Sequence, residues 1–387
     1  LSFSSGTASV GNSGSISVGS GASTNGKAGS IRVTVGAGNT EVGGRITVFA
    51  GQSTVSSGGG IAVASGYGTA TSSGVVSLVS DDAGDNGVSG ALTFQSGTTS
   101  AGNSGAVLVT TGAATAGKGG SITLAVGSGN TADGGNVIIE AGETTADSSA
   151  GGMVGIRAGF GSHAAGGKGG AIEVHGGEGT SISGGAIEVH SGYGSATSSG
   201  SITVHTVGAG DNGVSGRLSF SSGTTSEGNS GSISVGTGAS TNGKAGSVAM
   251  TVGAGNTGDG GGGWLFAGQT TADDKVGGMV SIRGGISYTA TTLAKGGSVE
   301  IGGGAGSGHS GGAVSVLTGY GSMTSSGSVS VRTMNSGDNG VSGRLSFSSG
   351  TTSVGNSGSI SVGTGASTNG KAGSIRVTVG AGTTLTG

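Results

Sequence analysis

A glycine returns in fixed register every fifteen residues along this chain, and that spacing limits its possible folds more than any other feature. Aligned on the glycines, the unit reads x-Φ-x-Φ-x-x-G-x-x-(S/T/N)-x-x-x-x-G, where Φ is apolar. Residues 15–29 (SISVGSGASTNGKAG), 30–44 (SIRVTVGAGNTEVGG) and 186–200 (AIEVHSGYGSATSSG) are examples. There are 25 units; the first lacks its opening residue and the last is short. Position 4 is apolar in all 25 and position 2 in 24, the exception being Gly263. Position 7 is Gly in 22, with Asp81, Val207 and Met334 as the departures. A disordered low-complexity chain has no reason to hold such a register.

A longer period lies above the first. The string RLSFSSGTTS starts at Arg217 and again at Arg344, and its relative ALTFQSGTTS starts at Ala91. Eight units separate each start from the next. Most keep the basic length, while the fourth and fifth are enlarged: 136–152 and 153–170 in the copy from Ala91, 262–278 and 279–297 in the copy from Arg217. The super-repeats are 1–90 (shortened), 91–216, 217–343 and 344–387 (partial). Whole units are lost from the first without disturbing their neighbours, as in a stack where each repeat meets only the next.

Composition narrows the options further. Of 387 residues 98 are Gly, 32% are hydrophobic and 9% charged, against about 45–50% apolar with Gly included and about 25% charged in ordinary domains. So few large side chains exclude the thick core of an enzyme of this length. The chain has no Pro and no Cys, which excludes collagen, a disulfide scaffold and a thiolate zinc site. A net charge of −3 gives no electrostatic basis for nucleic acid or anionic membrane partners.

The pattern predicts an all-β fold. Alternation at positions 1–5, as in Ala171-Ile172-Glu173-Val174-His175, with β-branched residues in the apolar slots, predicts a short strand with one buried face. No run between glycines is long enough to nucleate a helix. Gly at position 7 is expected to supply the positive φ of a tight corner, and positions 8–11 a second, weaker strand. Together these predict a single continuous narrow β-solenoid (β-helix) of about 25 coils over 1–387, stacked at about 4.8 Å into a rod of roughly 120 Å. Phe3, Phe94, Phe220 and Phe347 recur as its bulky core members. The absence of Pro fits a chain whose N–H groups all serve rungs.

The ends fall inside repeats at Leu1 and Gly387 with no atypical capping segment, and there is no initiator Met, signal peptide or membrane span. The expectation is a window of a longer polypeptide, or ends paired head to tail by other copies.

Candidate sites are few. His175, His190 and His205 share position 5 of consecutive units beside Glu173 and Glu188, and stacked imidazoles and carboxylates are metal donors. The other super-repeats do not keep the row: the matching slots of the third hold Gly302, Leu317 and Arg332. The expectation is therefore a solvated polar row with no metal. The GDNG turn recurs with Asp85, Asp211 and Asp338; Asp and Asn in such turns are Ca²⁺ donors, but they hold turns more commonly. No acid and base pair recurs, and no GK(S/T) follows a glycine run, so no enzyme and no cofactor are expected. No Asn-x-Ser/Thr sequon exists, which excludes N-glycosylation. Candidate O-glycosylation residues are Thr24, Thr54, Thr69, Thr115, Thr145 and Thr271. The enlarged stretches 143–152, 160–170, 269–278 and 286–297 are expected to protrude as lateral contact or modification sites.

Repeats such as GNSGSISVGTGASTNGKAGSI (355–375) resemble the Gly/Ser/Thr-rich tandem repeats of microbial and algal extracellular proteins, including those of glycosylated surface fibrils. The resemblance implies secretion, O-glycosylation and assembly with copies of itself, end to end or laterally. It transfers no catalytic residue. The expected function is a structural segment of an extracellular or cell-surface filament. The alternative is a surface-binding protein, such as an adhesin stalk or a carbohydrate- or ice-binding solenoid. Ice binding wants a flat Thr array, which Arg32, Phe49, Glu140 and His175 interrupt.

Overall fold

The glycine register does organise the backbone, but through closures inside each unit. The computed structural model describes residues 1–163, 166–288, 295–338 and 340–381. Among them there is neither helix nor strand, so the expected β-solenoid is not the fold of this chain. The reason lies in where the hydrogen bonds go. Among the described residues every backbone pair joins two residues of the same unit, and none links one unit to the next as a rung would require. Alternation marks a segment that suits a sheet, but a strand exists only when another segment pairs with it.

What replaces the coil is a closed loop. The N–H of the last Gly in a unit donates to the C=O of the Gly at position 7, as in Gly59 to Gly51 (2.9 Å), Gly74 to Gly66 (2.9 Å) and Gly200 to Gly192 (2.9 Å). The enlarged units 136–152, 153–170 and 279–297 keep the same neck. In them Gly152 donates to Gly142, Gly170 to Gly159 and Gly297 to Gly285, at 2.8–2.9 Å. The extra residues therefore lie in the loop and leave its closure unchanged. Other units use the hydroxyl at position 6, which donates to the last carbonyl: Ser20 Oγ to Gly29 O at 3.0 Å, Thr111 and Thr237 Oγ1 to Gly120 and Gly246 O at 3.3 Å.

The neck explains why its closing residue is Gly. A Cβ on Gly278 would stand 3.0 Å from the Gly268 nitrogen, and one on Gly152 3.1 Å from the Gly142 nitrogen. The requirement is close approach of two backbone segments. It is not the positive φ expected at position 7, where among the described residues only Gly6 has one. Positive φ recurs instead at position 12, at Gly11, Gly102, Gly228 and Gly355, in the first unit of each super-repeat. There the GNSG sequence turns the loop tip.

Without rungs no core forms. No described residue is buried. Ile16, Ile187 and Ile202 at position 2 are 53–56% exposed, and Val18 and Val189 at position 4 are 77% and 70% exposed. Phe3, Phe94, Phe220 and Phe347, expected as core members, are 65–79% exposed. The chain exposes 38291 Å². A compact monomer of 35.2 kDa would expose roughly 13,000 Å², and an extended chain roughly 51,000 Å².

The loops group into two compact units, Leu1–His190 and Ser191–Gly387. The first holds the necks closed at Gly59, Gly74, Gly152, Gly170 and Gly185; the second holds those closed at Gly200, Gly278, Gly297, Gly312 and Gly327. This division does not fall at the super-repeat boundaries.

Candidate functional sites

The histidine row resolves into separate pairs. His175 Nε2 lies 3.7 Å from Glu173 Oε2, and His190 Nε2 lies 3.5 Å from Glu188 Oε2. Each pair joins positions 3 and 5 of one unit, and both members are about three-quarters exposed. Pairs so exposed are screened by water and contribute little to stability. In the unit of His205, Thr203 occupies position 3. Among the described residues no group of three or more His, Asp or Glu stands close enough to hold a metal ion. Rows across units need rungs, and the described units share none.

The GDNG segments are tight turns. Gly87 N–H donates to Gly84 O at 3.0 Å, Gly213 to Gly210 at 3.0 Å and Gly340 to Gly337 at 3.1 Å. Asp85, Asp211 and Asp338 sit at the second position of these turns and are exposed. Asn339 lies outside the described residues. In the third copy Ser336 Oγ donates to Gly340 O at 2.9 Å.

Thr24, Thr54, Thr69, Thr115, Thr145 and Thr271 are all exposed on the loops. Their neighbours bear the turn bonds: Ser53 Oγ accepts from Ser56 N–H at 3.0 Å, and Thr144 and Thr270 Oγ1 accept from Ala146 and Ala272 N–H at 3.2 Å. The hydroxyls thus divide into turn-forming ones, at Ser53, Thr144 and Thr270, and free ones beside them.

The enlarged loops repeat in detail. Ser148 and Asp274 occupy the same place in successive super-repeats, and both have φ of 58°, a conformation that L residues adopt at a cost. Sequence reading missed this pair, since neither residue is Gly. Of the enlarged stretches, 164–165 and 289–294 lie outside the described residues. The one notable hollow among the described residues, of about 230 Å³, is lined by the four consecutive residues Arg332, Thr333, Met334 and Asn335. It brings no distant groups together, so it offers no acid and base pair.

Among the described residues no helix is long and apolar enough to cross a membrane. Comparison with protein-family models, curated proteins and solved structures finds no match to this chain.

Proposed function

We propose that the chain is a structural segment of an extracellular filament, working through repetition and not through a single site. One observation carries this reading: the same neck closes basic units such as 45–59 and 186–200 and enlarged ones such as 136–152 and 279–297. A protein built around one reactive centre has one place where distant residues meet, whereas here every unit repeats the last. The exposed free threonines Thr24, Thr54, Thr69, Thr115, Thr145 and Thr271 are the O-glycosylation positions under this reading. Sugars there would stand away from the turn-forming hydroxyls and leave the necks intact.

Electron microscopy of native material tests the proposal. The expected result is uniform filaments with an axial repeat matching the super-repeat, and glycopeptides carrying sugar at the named threonines. Dispersed single chains in native material refute it.

A further inference from the structure

A surface this apolar has a definite partner. The apolar residues of positions 2 and 4 recur in unit after unit and remain more than half exposed at Ile16, Val18, Ile187 and Val189. Monomeric proteins rarely leave contiguous apolar patches above a few hundred Å². This chain exposes 38291 Å², nearly three times the roughly 13,000 Å² of a compact monomer of its mass. The excess far exceeds the roughly 1,600 Å² total that a stable interface buries.

Only some partners can cover such a surface. The apolar pair returns every fifteen residues, so an occupant must carry apolar groups at the same interval along its length. An unrelated globular partner meets one or two units and leaves the rest in water. A second copy of this chain has the same period throughout. Its charge raises no barrier, since 15 basic and 18 acidic residues leave a net −3. Apolar burial proportional to area then drives association.

We infer that positions 2 and 4 form the docking surface for a second copy of this chain, offset by whole units. This rests on the reading of the chain as an assembling structural segment. The unequal units favour parallel docking, which sets each unit against one of its own length. Antiparallel docking sets 136–152 against the longer 153–170, and 262–278 against the longer 279–297.

The chain has no Cys, so single cysteines report cleanly. Ile187→Cys, Val189→Cys and Glu188→Cys place thiols at positions 2, 4 and 3 of one repeat in the first compact unit. Labelling of the full chain by a maleimide is followed at rising protein concentration, alongside sedimentation equilibrium. The expected result is concentration-dependent association with labelling slowed at least tenfold at 187 and 189 and unchanged at 188. Val63→Cys, at position 4 of another repeat, should behave like Val189→Cys, which guards against local misfolding at one site. A chain that stays monomeric overturns the inference, and so does equal slowing at all three positions. Protected pairs that never grow into filaments overturn the filament reading while leaving the docking surface standing.

Discussion

Gly194 and Gly38 both occupy position 9 of their units, yet their surroundings differ, and that contrast tests the loop geometry. A Cβ on Gly194 would overlap the Ser198 carbonyl oxygen and lie 2.8 Å from its carbon. A Cβ on Gly38 would meet nothing within 4 Å. Both atoms at the first site are backbone, so relief requires the loop itself to move. Forcing a methyl into a tight site costs about 1–3 kcal/mol. The loop is held by Gly200 N–H donating to Gly192 O, and such a bond contributes about 1 kcal/mol net. The clash therefore exceeds the closure. A neck closed in roughly a five-to-one ratio becomes open in about the same ratio, because 1.4 kcal/mol is about a factor of ten.

Hydrogen exchange of the full chain, resolved at the Gly200 amide, measures this directly. Gly194→Ala should speed that exchange about fivefold, to near the rate of an unprotected amide, under the opening equilibrium just given. Gly38→Ala should leave it unchanged, and by restricting the unfolded chain should be neutral or stabilise by up to about 1 kcal/mol. Equal exchange at Gly200 in the two variants would refute the neck as the element holding the loop.

Three further outcomes follow from the same geometry. Ser148→Gly removes a left-handed conformation costing an L residue about 1 kcal/mol or more, so the Ser149 amide, which donates to Ala146 O, should exchange more slowly; faster exchange refutes the assignment. Gly228 has φ of 107°, so Gly228→Ala should shift the backbone resonances of its loop by a strain of about 1–3 kcal/mol, while Gly223→Ala, with open space around it, should be silent. Titration calorimetry with Zn²⁺ should give no saturable micromolar site, because each His–Glu pair offers two exposed donors where structural zinc takes four; a site lost in His175→Ala would overturn that.

Much of this architecture is legible in the sequence. The unit boundaries, the enlarged fourth and fifth units and the Gly at the end of each unit all correspond to physical features, since close approach of Gly278 to Gly268 leaves no room for a side chain. Pairing is not legible. The alternation of Ile172, Val174 and their neighbours reads the same whether the segment joins a ladder or remains single, because periodicity reports faces and not partners. The histidine row failed for the same reason: His175 and His190 are neighbours only if their units are rungs. The φ of Ser148 and Asp274 left no trace, as residue type at those positions does not demand it.

The neck accounts for both the tolerance and the weakness of this architecture. Its bonded residues are separated by 8, 10, 11 or 12 positions, as at Gly51–Gly59, Gly142–Gly152, Gly159–Gly170 and Gly285–Gly297. Closing the longest loop instead of the shortest costs only about 0.4 kcal/mol in chain entropy. That is less than the roughly 1 kcal/mol net contribution of the bond itself, so insertions and whole-unit losses leave the remaining units closed. The same locality means that lengthening the chain adds loops without adding burial. In an ordinary domain the buried fraction rises with size, whereas here position 2 is about half exposed at Ile16 in the second unit and at Ile375 in the last. Stability that does not accumulate within one chain has to come from outside it, and a surface repeated without variation is most completely covered by another of its kind.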